Sequence, residues 1–369
     1  MTSPAPPIAP AVKLNVTDRY LALWIVLSML LGLALAYLVP AVAEALHTFA
    51  IGSVSIPIAI GLLVMMYPVL AKVRYSDMGT VVGDRRLLVS SLLLNWIVGP
   101  AVMFTLVWLM LPDLPEYRTG LIIVGLARCI AMVLIWNDLA CGDREAAAVL
   151  VAINSVFQVI AFSGLAWFYL QILPSWLGLA TTTAGFSFWA IMISVLVFLG
   201  VPLLAGYLSR RIGEARKGRA WYEGSFLPKV GPWALYGLLF TIVMLFALQG
   251  EQVIDRPLDV ARIALPLLAY FVIMFLLGYL VGKAVDLSYA RTTTLAFTAA
   301  GNNFELAIAV SIGAFGAASG EALAGIVGPL IEVPVLVALV YVSLWLRPRL
   351  FPQDTADPTV AAAVASSRR

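Results

Sequence analysis

Charge is what this 369-residue chain has least of. Only 12% of its residues are Asp, Glu, Lys or Arg, while 62% are hydrophobic. Soluble domains carry about 25% charged and about 45–50% apolar residues. The mean hydropathy of +0.99 exceeds what a soluble core of this size can hide, so the apolar side chains must face lipid as well as one another. One histidine, His47, excludes a histidine-based metal centre. Two cysteines, Cys129 and Cys141, would lie about 18 Å apart on a straight helix, beyond disulfide reach. No Walker A motif, dinucleotide-binding loop or paired-cysteine metal motif occurs. ATP-driven pumping by this chain alone, and any resident cofactor, are therefore not expected.

What the chain does have is long continuous apolar runs, which also argue against the alternating pattern of a β-barrel. They fall near residues 20–40, 51–71, 87–111, 119–140, 146–173, 186–209, 232–249, 258–282, 291–316 and 322–346. The expected fold is all-α and membrane-integral, with ten spans. The first run reaches from Tyr20 to Val39 with no small-residue cleavage site behind it, so no cleavable signal peptide is expected. With the N-terminus inside, nineteen of the 23 Lys and Arg fall on inside segments, three (Arg118, Arg256 and Arg262) fall outside, and Arg128 lies within a span. That bias places both termini in the cytoplasm of a multi-pass inner-membrane protein. Segments 1–19 and 351–369 are expected to flank the 20–350 membrane domain as a cytosolic leader and a disordered tail.

Ten spans divide into five plus five. An odd unit re-enters with reversed orientation, giving inverted repeats over about 20–173 and 186–346. The fourth span of each half is unusual. Span four carries Gly125-Leu126-Ala127-Arg128-Cys129, and span nine carries Ala299-Ala300-Gly301-Asn302-Asn303-Phe304-Glu305. Glycine-interrupted spans at matching places point to a binding site built from broken helices.

Ionisable groups at mid-membrane cost at least about 2.5–3.5 kcal/mol each and tend to mark a pathway. Glu305 is read as a protonatable carrier, the alternative being a structural carboxylate locked to Arg128. Cys129 is either a small buried hydrophobe or a reactive thiol activated by Arg128 and a helix start. Arg128 either balances the carboxylates or binds substrate. Asn302 and Asn303 are suited to backbone groups freed by a helix break or to substrate hydroxyls. Glu332, bracketed by Pro329 and Pro334, is read as structural or as part of a proton path.

Three segments carry a family resemblance. Gly125-Leu126-Ala127-Arg128-Cys129-Ile130-Ala131-Met132-Val133, followed by Trp136-Asn137-Asp138-Leu139, resembles the signature of arsenical-resistance permeases of the third type. So do the stretches Ala296–Ala307 and Gly328–Val335. These permeases belong to the bile/arsenite/riboflavin transporter superfamily, and the resemblance runs from about Tyr20 to Leu350. It implies efflux of arsenite, in some members also of antimonite, in exchange for protons. It also implies panel and core parts, with spans four and nine broken and crossing. The family's essential thiol and acid fall on Cys129 and Glu305, and no ATPase subunit or nucleic acid is implied. The chemistry agrees: arsenite near neutral pH is an uncharged, thiophilic trihydroxide, and one thiol with oxygen and amide partners allows both capture and release. The rival is a sodium-coupled carboxylate or bile-acid symporter of the same fold. A non-transporting sensor is disfavoured because no soluble signalling domain is evident.

Overall fold

A computed structural model describes residues 21–39, 41–51, 54–73, 84–130, 132–181, 186–255 and 257–352. The leader 1–19 and the tail from 353 onward lie outside them. The elements are α1 (Leu21–Leu38), α2 (Ala41–Thr48), α3 (Ile56–Ala71), α4 (Arg85–Met110), α5 (Pro115–Leu126), α6 (Met132–Leu139), α7 (Arg144–Trp176) and α8 (Phe188–Lys217). A helical segment, α9, follows over 219–230, and then come α10 (Pro232–Asp255), α11 (Pro257–Ala284), α12 (Tyr289–Ala300), α13 (Phe304–Phe315) and α14 (Gly320–Leu350). Among the described residues the strands are one antiparallel pair of two residues each, β1 (Ala50–Ile51) and β2 (Val54–Ser55).

Among the described residues, six stretches are long and apolar enough to cross a membrane: Arg85–Met110, Arg144–Trp176, Phe188–Lys217, Arg219–Leu248, Pro257–Ala284 and Gly320–Leu350. Their outer faces carry large exposed apolar side chains such as Leu109, Ile160, Leu280 and Tyr341. Such faces fit lipid and would be a liability in water. Proline shapes several of these helices. The π-turns Leu94–Val98, Phe168–Ile172, Leu196–Gly200 and Tyr222–Phe226 each end two residues before a proline, namely Pro100, Pro174, Pro202 and Pro228. A proline ring removes one N–H and crowds the preceding turn, and widening that turn relieves the clash without breaking the helix.

The helices pack as two groups. α1 lies on α10, α10 on α3 and α3 on α8, forming a panel. α4–α7 and α11–α14 form a core in which α11 packs on α12, and α14 packs on α5, α11 and α13. The groups meet where α8 runs against α7 and α13. Ion pairs tie the core at both ends. Arg291 at the start of α12 reaches Asp84 and Asp143 (3.5 Å to the latter), the residues that cap α4 and α7. At the other end Arg262 of α11 holds Asp113, in the turn between α4 and α5, at 2.8 Å. The hydrogen bond from that guanidinium holds the Asp113 carboxyl below the usual carboxylate range.

Two boundaries differ from expectation. Residues 210–230, which fall between the expected spans 186–209 and 232–249, are almost wholly helical. α8 runs on to Lys217, with Arg210 paired to Glu214 at 2.7 Å one turn away, and Gly218 at φ 83° turns the chain into α9. Arg210 and Glu214 stand at the i,i+4 spacing that supports a helix. Span two starts at Ile56 rather than 51, because the β1–β2 turn takes up its first residues.

The α11–α12 contact depends on Gly278, where an added Cβ would press on the backbone of Ala296. Neither helix can retreat cheaply. Gly278→Ala is therefore expected to destabilise the fold by about 1–3 kcal/mol, read as a lower thermal unfolding midpoint in detergent. An unchanged midpoint would show that the contact yields.

Candidate functional site

Both unusual spans are broken. α5 stops at Leu126, Ala127 is extended (φ −84°, ψ 113°), and α6 starts at Met132. α12 stops at Ala300, Gly301 is extended (φ −72°, ψ 143°), and α13 starts at Phe304. A break strands backbone N–H and C=O groups where no water can serve them, at several kcal/mol each. Here the two breaks serve each other. They cross antiparallel with Arg128 opposite Asn302. The Cys129 N–H donates to the Gly301 carbonyl at 3.3 Å, and the Asn303 N–H donates to the Ala127 carbonyl at 3.0 Å.

Each strand of the crossing is braced from a neighbouring long helix. Gln158 of α7 accepts from the Arg128 N–H at 2.9 Å and donates to its carbonyl at 3.0 Å. Glu332 of α14 accepts from the Asn302 N–H at 3.3 Å. In both cases the brace follows its target by 30 residues, and the helices before the breaks are both twelve residues long.

The half-helices start at the crossing, so the positive ends of two helix dipoles converge there. Cys129 and Asn303 hold corresponding places. The Cys129 sulfur accepts from the Val133 N–H of α6 at 3.3 Å, and Asn303 Oδ1 accepts from the Leu306 N–H of α13 at 3.0 Å. The thiol is buried and lies over Gly301, where a Cβ would stand 3.0 Å from the Cys129 Cβ and 3.5 Å from its sulfur. Glu305 occupies the first turn of α13 and is half-buried, Glu332 is buried, and both carboxylates are within electrostatic reach of the thiol. Both side-chain polar atoms of Asn302, and Nδ2 of Asn303, are buried without a hydrogen-bond partner among the described residues. Orphaned polar atoms at this density, beside a thiol, are what a site for a small polar ligand leaves open when empty.

Of the six residues singled out from the sequence, Cys129, Asn302, Asn303, Glu305 and Glu332 converge on this crossing. Arg128 is there by its backbone, but its charge is used elsewhere. Its guanidinium donates to the Tyr270 hydroxyl of α11 at 2.7 Å and to the Gly125 carbonyl. Among the described residues it makes no direct ion pair with Glu305 or Glu332. An arginine turned back on its own helix end satisfies a carbonyl that the break had freed. Sequence reasoning missed Gln158 and Tyr270. The repeated 30-residue spacing from each break to a long polar side chain could have found Gln158; no pattern marks Tyr270.

Cys141 is exposed, in the turn after α6, at φ 56°. Serine fits there as well as cysteine, so Cys141→Ser is expected to leave transport within about a factor of two of wild type, since surface changes cost at most ~0.5 kcal/mol. A larger loss in vesicle transport would give this thiol a role.

An apolar bundle whose two interrupted helices meet at a buried, partly unsatisfied polar centre is the architecture of a membrane transporter, not of an enzyme. Comparison with known proteins agrees. Residues 59–256 match the family described as the Sodium Bile acid symporter family. The chain is 59% identical to the Arsenical-resistance protein Acr3 of Corynebacterium glutamicum over 99% of both chains. It is 32% identical to the Arsenical-resistance protein Acr3 of Alkaliphilus metalliredigens over 88% of this chain and 92% of that one. It is also 36% identical to an uncharacterized transporter of Synechocystis over 94% and 93% of the two chains. The chain belongs to the Acr3 family of arsenical-resistance proteins.

Proposed function

We propose that this protein exports arsenite across the cell's inner membrane by secondary transport, in exchange for protons. The names of two relatives matched over most of their length support the substrate. The observation that carries the reading is the Cys129 thiol set beside three unpartnered amide atoms of Asn302 and Asn303. A soft sulfur suits As(III), and amide donors and acceptors suit its hydroxyls. Antimonite, a second neutral and thiophilic trihydroxide, suits the same groups. Glu305 carries the proton, and Glu332 is the second acid of the path. Arg128 belongs to the binding region through its backbone.

The full architecture we infer is ten spans in two inverted repeats, about 20–173 and 186–346, with both termini in the cytoplasm. The matched breaks, the matched 30-residue braces and the strong bias of Lys and Arg to one end support it. The rival, sodium-coupled carboxylate symport, has on its side the name of the family matched over 59–256.

The test is expression in cells that lack their own arsenite exporters. Lower cellular arsenic and growth at otherwise inhibitory arsenite are expected. Unchanged arsenic content with the protein present in the membrane would overturn the reading.

A further inference from the structure

Gln158 is fully buried in α7, and nothing in the proposed chemistry gives it a task. It reacts with nothing, yet an amide in this position is costly unless every polar atom is met. All are met. Oε1 accepts from the Arg128 N–H, and Nε2 donates to the Arg128 carbonyl and, at 3.4 Å, to the carbonyl of Asn154.

The Arg128 carbonyl belongs to the peptide plane that also carries the Cys129 N–H. That plane is pinned at both of its polar atoms, the oxygen by Gln158 and the N–H by the Gly301 carbonyl. A pinned plane fixes the N–Cα bond of Cys129, and the hydrogen bond from the Val133 N–H to the sulfur restricts rotation about it. We propose that Gln158 is a positioning residue that sets the direction of the Cys129 thiol into the crossing.

The other half of the crossing provides an internal comparison. Glu332 stands in the same relation to Asn302 as Gln158 to Arg128, at the same 30-residue spacing. Its brace has one point among the described residues, the Asn302 N–H at 3.3 Å. The two-point brace sits on the strand that bears the thiol. An amide there supplies rigidity, while the acid on the other strand leaves Asn302 more loosely held.

The inference rests in part on arsenite as the ligand of Cys129, and the experiment separates the two. The chain has two cysteines, so a Cys141→Ser background leaves Cys129 as the lone thiol. Purified Gln158→Leu and Gln158→Glu proteins in that background are compared with their parent. Three quantities are read on the monodisperse fraction: the rate of Cys129 alkylation by N-ethylmaleimide, the arsenite concentration that halves it, and the unfolding midpoint. Leucine removes both hydrogen bonds at similar volume, whereas glutamate, read at alkaline pH where its carboxyl is ionised, keeps the acceptor and loses the donor. For Gln158→Leu the halving concentration is expected to rise at least about tenfold, which is about 1.4 kcal/mol, with a changed alkylation rate. Gln158→Glu should fall between leucine and the parent. If leucine prevents folding, the glutamate variant decides alone. Alkylation and protection equal to the parent in the folded variants, with only the midpoint lowered, would mean a merely structural amide and overturn the proposal. If arsenite fails to protect even the parent, the substrate reading falls, and the alkylation rates by themselves still decide whether Gln158 orients the thiol.

Discussion

Cys129→Ser is expected to abolish arsenite efflux while the protein still folds and inserts. Serine keeps the local job of the residue. The sulfur accepts a hydrogen bond from the first turn of α6 at 3.3 Å, and a serine hydroxyl is among the best groups for that place. Asn303 plays the same part for α13 with an oxygen. Serine also fits over Gly301, since its side chain is no larger. What it loses is the soft ligand. An alcohol oxygen cannot replace thiolate for a thiophilic centre, and no other sulfur ligand of the cysteine type exists in the chain except exposed Cys141. Initial rates at low arsenite should fall by at least about 100-fold, or about 2.8 kcal/mol at roughly 1.4 kcal/mol per decade. Rates equal to wild type would remove the thiol from the mechanism.

Glu305→Gln is expected to abolish proton-driven uphill efflux. Arsenite is neutral, so its own movement gains nothing from the membrane potential, and expelling it against a gradient needs a coupled ion. A proton entering per cycle gains about 2.3 kcal/mol per 100 mV, enough for roughly a fifty-fold gradient at about 1.36 kcal/mol per decade. The coupling group must change protonation inside the membrane. The single histidine, His47, lies in the short helix α2 away from the broken spans, and Arg128 keeps its proton. Glu305, Glu332 and Cys129 remain. Glu332 is engaged with the Asn302 backbone. Glu305 makes no ion pair among the described residues and lies in the first turn of α13, two residues from Asn303. Protonated Glu305 excludes bound substrate in this scheme, so exchange follows from competition. Glutamine mimics the protonated acid at the same size but cannot release a proton to admit substrate, so proton-coupled efflux is lost. Uphill efflux with unchanged pH dependence in Glu305→Gln would move the proton role to Glu332 or Cys129.

Much of this site is legible from residues that lipid would reject. Gly301, Asn302, Asn303 and Arg128 have no place on a continuous lipid-facing helix, and the breaks occur at those residues. The partnership between the two breaks is harder to read, because it runs through backbone atoms of segments far apart in sequence. Side-chain destinations are harder still. Arg128 invites pairing with a nearby carboxylate, but the freed Gly125 carbonyl and the Tyr270 hydroxyl lie in its reach and take it. Gln158 passes in the sequence as one polar residue in an apolar run, and only the fold brings it beneath Arg128. The prolines that follow π-turns are visible in the sequence, while the widened turns that absorb them are not, since the same residue can kink a helix instead.

The most direct test of thiol capture coupled to protons is arsenite uptake into everted membrane vesicles under an imposed pH gradient, acid inside, with and without sodium. Uptake here corresponds to efflux from the cell. Accumulation that requires the gradient, collapses with a protonophore, ignores sodium and vanishes in Cys129→Ser is the expected result. Accumulation that needs a sodium gradient and persists in Cys129→Ser would contradict the account.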